Sequence, residues 1–205
     1  MMIVKNAVFG SMNNNCYLII DEKTNKSALV DCPEYNDKMH DLIGDTDLEY
    51  ILLTHGHFDH IGGVKSVKEK YGCSIVISAE DAPMLASSKL SLAVFCGAPH
   101  NNTEADIIVS DGDIIEFGDI KIKVISTPGH TKGSVCYAAD NYLFTGDTLF
   151  YCSCGRTDFP GGSDTEIVRS LKRLKELDGN YKVMTGHDSQ SVLDFERKNN
   201  PYMQL

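Results

Sequence analysis

Hydrophobic positions fall into short runs with two periods along this 205-residue chain. Residues 2–9 and 15–20 form two apolar runs joined through Gly10-Ser11-Met12-Asn13-Asn14. A polar turn over residues 21–26 precedes a third run, Ser27-Ala28-Leu29-Val30, which stops at Asp31. Runs of this length with short polar connections predict an antiparallel meander. Residues 34–43 predict a short surface helix with Met39, Leu42 and Ile43 as its apolar edge. His40 sits there among Asp37, Lys38 and Asp41 and reads as an exposed helix residue.

Residues 50–53 predict a buried strand. Residues 63–71 predict a helix with Val64, Val67 and Tyr71 on one face and Gly72 as its C-cap. Residues 73–77 read as a strand, and 79–87 as a helix with Pro83 in its first turn. Residues 88–104 read as a packing insert, with a cover over a site as the alternative, and His100 within it as a surface residue. Strands return at 107–109, 114–117, 120–125, 135–137 and 142–145. Ser163-Asp164-Thr165-Glu166 fits a capping box, and Ile167, Val168, Leu171, Leu174 and Leu177 follow at helical spacing. A last strand at 181–184 runs toward His187. The tail over 196–205 is polar and reads as loosely packed.

Composition narrows the class. With 42% hydrophobic residues the chain can bury one sizeable core, which predicts a single domain over residues 1–205. Its net charge of −10, without a basic stretch, argues against nucleic acid and anionic membranes as partners and leaves a small molecule. No apolar run approaches the roughly 20 residues of a membrane span, and the first residues lack a signal-peptide pattern, so the chain reads as cytoplasmic. Oligomeric state is left open. Of seven cysteines, Cys16, Cys32, Cys73 and Cys136 lie in or beside apolar runs and read as small buried hydrophobes. Cys152 and Cys154 form a C-x-C that reads as structural rather than as a redox or metal pair.

The candidate chemistry is concentrated in Thr54-His55-Gly56-His57-Phe58-Asp59-His60, a loop leaving a buried strand. Strand ends are where layered α/β proteins build sites. His55 and His57 are two apart, so on extended backbone they point to one side. Imidazole and carboxylate are common ligands of zinc and iron, and Asp59 and His60 could serve a second ion nearby. Three further strands end in the same way, at His130, Asp147 and His187.

Thr-His-x-His-x-Asp-His followed by these three residues resembles the metallo-β-lactamase superfamily over nearly the whole chain. The resemblance implies an α/β fold, a four-layer αββα sandwich of two mixed sheets with helices outside. It also implies two divalent metal ions, most readily Zn2+, with Fe or Mn as alternatives. His55, His57 and His130 would hold the first ion, Asp59, His60 and His187 the second, and Asp147 would bridge them. Two such ions share a water and lower its pKa, and the hydroxide attacks a carbonyl. Asp59 would orient that hydroxide as the catalytic residue, and Asp31 would steady a ligand histidine.

Within the superfamily, Asp147 stands where classical zinc β-lactamases carry a cysteine, which argues against antibiotic hydrolysis. Gly155-Arg156-Thr157-Asp158-Phe159 resembles a segment of glyoxalase II-like enzymes, which hydrolyse glutathione thioesters, and of persulfide dioxygenases, which use one iron. In both, the Arg156–Asp158 pair is expected to hold the loop under the metals. The tail resembles short glyoxalase II-like proteins, whereas Gly186-His187-Asp188 is closer to the dioxygenases. The expected function is a dinuclear thioester or acyl hydrolase. The alternative is a mononuclear iron dioxygenase relying on His55, His57 and Asp147, and a non-catalytic domain on the same fold comes third.

Overall fold

The structure is a computed structural model that describes residues 1–100 and 102–205. The first sheet opens as the expected meander: β1 (Met2–Phe9), β2 (Asn14–Asp21) and β3 (Lys26–Val30) pair antiparallel. After α1 (Asp37–Ile43), β4 (Asp47–Leu52) lies parallel to β3. The helices α2 (Phe58–Ile61) and α3 (Val64–Tyr71) lead to β5 (Ser74–Ser78), parallel to β4. A 3-10 turn (Ala82–Ala86) and α4 (Ala93–Cys96) lead to β6 (Ile107–Val109), parallel to β5.

Among the described residues the second sheet also has six strands. Here β7 (Ile114–Phe117), β8 (Ile120–Ser126), β9 (Val135–Ala139) and β10 (Tyr142–Gly146) pair antiparallel in turn. A small hairpin, β11 (Leu149–Phe150) and β12 (Ser153–Cys154), precedes α5 (Asp164–Lys175). Then β13 (Lys182–Thr185) joins β10 in parallel, β14 (Ser191–Val192) pairs with β13, and α6 (Leu193–Asn199) ends the regular helices.

Strand alternation builds the layers. In β2, Tyr17 and Ile19 point one way and Cys16, Leu18 and Ile20 the other. The first pair joins Val30, Leu52, Val124, Tyr137 and Phe144 in the core between the sheets. The second set packs under Met39 and Ile43 of α1 and Val64 and Val67 of α3. On the outer face of the second sheet, Cys136, Leu143 and Val183 meet Ile167, Leu171 and Leu174 of α5. Three apolar interfaces between four layers make this the αββα sandwich that the sequence resemblance implied.

The site is positioned by the sheets' directions. The parallel strands β3 and β4, and the mutually parallel β8, β10 and β13, all end at one edge of the sandwich. The start of β2, antiparallel to β3, lies at the same edge.

The structure corrects several local expectations. The helix expected over 79–87 is only a 3-10 turn, because the Asp81 carboxylate caps no helix and instead bonds to two distant loops. Asp59 and His60 lie on the one-turn α2, not in the loop. The tail is not loose. Glu196 and Asn200 are fully buried and Met203 nearly so, and Glu196 accepts bonds from the Cys152 amide (2.9 Å), Asn200 Nδ2 (2.9 Å) and Ser191 Oγ. Polar composition misled here because the tail's polar groups satisfy one another and the β11–β12 hairpin. His100 is half-buried, with Nδ1 3.3 Å from Ser91 Oγ, while His40 is exposed as expected and bonds Tyr71. Residue 101, in the 88–104 segment, lies outside the described residues. Within the rest of the segment only Ser91, Leu92 and Ala93 are buried, the Ser91 carbonyl accepting from the Phe58 amide, while Leu90, Val94 and Phe95 are half or more exposed.

Candidate metal centre

All seven residues expected at strand ends meet at the edge of the sandwich. The atoms of His55, His57 and His130 come within 4.8 Å of one another, as do those of Asp59, His60 and His187. A third group, His55, His60 and Asp147, joins the two. Asp147 Oδ1 lies 3.3 Å from His60 Nε2, and Oδ2 lies 3.5 Å from both His130 Nε2 and His187 Nε2. It therefore touches both triads.

The outer nitrogens are what aim these rings. Thr54 Oγ1 lies 3.1 Å from His55 Nδ1. His60 Nδ1 meets Asp31 Oδ2 at 2.8 Å, the steadying contact expected of Asp31. His130 Nδ1 donates to the Arg156 carbonyl (2.8 Å), and His187 Nδ1 to the Met12 carbonyl (2.9 Å). A ring that donates from Nδ1 keeps its Nε2 lone pair free, and for His60, His130 and His187 that lone pair faces the centre. Inside, lone pairs crowd: His57 Nδ1 lies 2.9 Å from His130 Nε2, and His60 Nε2 lies 3.2 Å from His187 Nε2. Among the described residues, nothing hydrogen-bonds to the buried His55 Nε2 and Asp147 Oδ1. Orphaned acceptors converging on a point fit cations and fit little else.

Electrostatics separate the two triads: burial keeps His55 and His57 of the first neutral, whereas the carboxylates around His60 and His187 of the second raise both rings, so their protons must leave before an ion is held there. Burial, reinforced by His130 and His60, pulls His57 down to about 3. Burial also holds His55 well below the usual range, so both rings present neutral nitrogen. Burial would lower His60, but Asp147, Asp59 and Asp31 together outweigh it and raise it. Burial would raise Asp59 and Asp147, but the surrounding imidazoles keep both carboxyls lowered and ionised.

The scaffold around the centre is tight. Thr54 donates to Asp31 from its amide (2.8 Å) and Oγ1 (2.9 Å), linking the ends of β3 and β4. A side chain at Gly186 would meet Asp147 Oδ1 at 2.3 Å, and one at Gly155 would meet the Asp147 carbonyl at 1.7 Å. Only hydrogen fits at these two places.

Two functional residues escaped the sequence reading. Asn14 Nδ2 donates to Asp59 Oδ2 at 2.8 Å and lies 3.4 Å from His187 Nε2. The fully buried Asp81 accepts from the amides of Gly56 (3.0 Å) and Gly133 (2.9 Å) and from Thr131 Oγ1 (2.7 Å). It ties the His55–His57 loop to the loop after His130. The available signals were the Asn13-Asn14-Asn15 run and an acid just past the β5 end.

The Arg156–Asp158 pair forms, but at the rim. The two side chains are 57% and 65% exposed, so the pair stiffens its own turn while the Arg156 carbonyl does the holding. Cys154 lines the cavity over the centre, and burial pushes its thiol up to about 11. Among the described residues no cysteine joins a metal-type cluster.

A four-layer αββα sandwich with His and Asp side chains gathered at one edge defines the class. Residues 10–187 match the family described as the metallo-beta-lactamase superfamily, and the chain belongs to it. An uncharacterised protein of Aquifex aeolicus is 35% identical over 98% of this chain and 97% of its own. A hydroxyacylglutathione hydrolase of Bradyrhizobium sp. is 35% identical over 88% of this chain, which spans 65% of that enzyme's length. Among solved structures, BLEG-1 B3 metallo-beta-lactamase superposes with a TM-score of 0.93 at 27% identity, covering 99% of this chain and all of the other. TTHA1623 in a di-iron-bound form gives 0.86 at 28% identity, over 97% and 99% of the two chains. ETHE1 from Myxococcus xanthus gives 0.80 at 28% identity, over 98% and 84%. Among the described residues, no helix is long and apolar enough to cross a membrane.

Proposed function

We propose that the protein is a dinuclear metal-dependent hydrolase of a small thioester or related acyl compound. The observation that carries this reading is the inward convergence of His and Asp donors whose outer atoms are already bonded. His55, His57 and His130 would hold one ion, Asp59, His60 and His187 the other, with Asp147 between them. When bound, such a pair of ions lowers the pKa of a water and polarises the substrate carbonyl. Similarity to a hydroxyacylglutathione hydrolase supports the thioester class. Similarity to a di-iron protein keeps iron beside zinc as a candidate metal.

This chain's own residues perform the remaining work. Asp59, held by Asn14, orients the attacking water through its carboxylate. The water oxygen bonds to the acyl carbon and the carbon–sulfur bond breaks, its electron pair leaving on sulfur. One water proton goes to sulfur, and the other leaves as the carboxylic acid ionises. Phe150, Phe159 and Leu92 line the cavity and limit water around the reacting carbon.

The test is metal content and thiol release on protein prepared without a histidine tag or chelator. Two ions per chain and hydrolysis of an acyl thioester, both impaired in His187→Ala and Asp147→Ala, support the reading. Full activity in both variants would sink it. A β-lactam belongs on the same panel because of the likeness to BLEG-1.

A mononuclear iron dioxygenase of a thiol persulfide is the second reading, favoured by Asp188 directly after His187. It relies on His55, His57 and Asp147, and these three do not form one of the gathered triads. One iron per chain and oxygen uptake with a persulfide would promote it.

A further inference from the structure

The cavity over the candidate metal centre measures about 500 Å³. A second cavity of about 480 Å³ adjoins it, and the two share Met12, Phe58 and Asp59 as walls. A substrate with its reacting carbon beside Asp59 therefore has two places for its two arms.

The first cavity is apolar on most sides, through Met12, Phe58, Leu92, Phe150 and Phe159. The second is built from the β1–β2 turn, the segment after β3 and the start of α3, with Gly10, Ser11, Pro33, Tyr35 and Ser66 in its walls. Among the described residues Arg156 is the one Lys or Arg lining either cavity. That side chain sits at the rim of the first cavity, 57% exposed, where Nε and Nη2 donate to both oxygens of Asp158 at 2.7 and 2.6 Å and the guanidinium carbon lies 4.0 Å from the centre of the Phe159 ring. Among the described residues, each cavity carries an acid that no lysine, arginine or histidine pairs with. Glu34 lines the second cavity, its Oε1 held only by neutral donors, the Gly10 amide (3.3 Å) and Asn36 Nδ2 (3.0 Å). Asp188 lines the first.

Resting on the thioester reading above, we propose that the thiol half of the substrate is neutral or cationic. The second cavity receives it, and Glu34 sets this preference. A thiol carrying carboxylates, such as glutathione with two, would meet Glu34 in the second cavity, where no lysine or arginine among the described residues lines the wall. Like charges brought together at a site weaken binding, whereas an ammonium placed near Glu34 gains a partner. The net charge of −10 adds to the same field at longer range.

The experiment compares thioesters of one short acyl group with three thiols, on metal-loaded full-length protein. The thiols are N-acetylcysteamine (neutral), thiocholine (cationic) and glutathione (anionic), and thiol release is followed at low and high salt. Neutral and cationic substrates are expected to show a kcat/KM about tenfold or more above the anionic one at low salt, with the gap narrowing as salt screens it. Glu34→Gln should narrow the cationic-to-anionic ratio about fivefold, through KM more than kcat. Equal or better use of the glutathione thioester, or a ratio unmoved by Glu34→Gln, overturns the inference and leaves the hydrolase reading standing. No release from any of the three overturns the thioester reading, and this inference with it.

Discussion

Asp81 accepts a hydrogen bond from the backbone amide of Gly56, the residue between His55 and His57, at 3.0 Å. The same carboxylate holds Thr131 and Gly133 after His130. One buried side chain thus sets the spacing of the first triad without belonging to it. Asp81→Asn puts an amide donor against backbone N–H groups and should cost about 2–4 kcal/mol. Metal affinity at the first triad should drop about 10–100-fold. Competitive chelator titration and thermal melts check both effects, and a variant that keeps full affinity would show the contact to be passive.

Gly186→Ala should harm both activity and folding. Its backbone is not in the left-handed region, but the new Cβ would meet Asp147 Oδ1 at 2.3 Å and the Gly146 backbone at 2.9 Å. Displacing Asp147 should lower kcat about 100-fold or more, and the backbone clash should cost about 1–3 kcal/mol of stability. Steady-state kinetics beside calorimetry separates the two effects.

Glu196→Ala removes the acceptor for the Cys152 amide, Asn200 Nδ2 and Ser191 Oγ. Leaving buried donors unpaired should destabilise the fold by about 2–3 kcal/mol. The loss should be accompanied by faster amide exchange over residues 149–154, which carry part of the cavity wall. Denaturant unfolding and hydrogen exchange read these two consequences.

Asp111 gives a pH-dependent contribution outside the centre. Its bond to Arg173, helped by the Ser126 amide, holds its carboxyl below the ordinary value. A carboxyl lowered in the folded state stabilises above the unfolded pKa, and that stabilisation fades as pH falls through the folded value. The pair is nearly half exposed, so screening limits it to about 0.5 kcal/mol or less. Asp111→Asn should therefore be slightly less stable than the parent at pH 7, and the gap should close below pH 3.8. Urea midpoints across that range check the sign.

Metal removal should lower the melting temperature well beyond any of these single substitutions. The converging donors set imidazole nitrogens 2.9 and 3.2 Å apart, and among the described residues His55 Nε2 has no hydrogen-bond partner, so an ion between them relieves both costs. Ions that bind the folded chain stabilise it in proportion to ln(1 + [L]/Kd). Melts at graded free zinc should rise accordingly, and a flat response would contradict the assignment of these donors.

The longer strands and the seven residues that gather at the edge were legible because each follows a local rule, an apolar run and then, in four places, a ligand-type side chain where the run stops, whereas the order of strands within the sheets and the short β11, β12 and β14 were not. Leu171 and Leu174 announced their buried face by spacing alone. Asp81 and Asn14 did not, because their partners lie 25 to 173 residues away and nothing local marks an acid or amide as spoken for. The tail misled for the same reason. Glu196 and Asn200 look like solvated residues until the β11–β12 hairpin supplies their partners. Arg156 was expected to act through its charge, and it acts through its carbonyl.

His187 arrives last of the seven donors, yet it is held by Met12 and Asn14, among the first residues made. His55, His57 and His130, and the Arg156 carbonyl that aims His130, all precede His187 in the chain. The second triad closes only once β13 has docked beside β10 and the last strand has met the first turn. That triad thus ties the two ends of the fold together, whereas the first lies wholly between them.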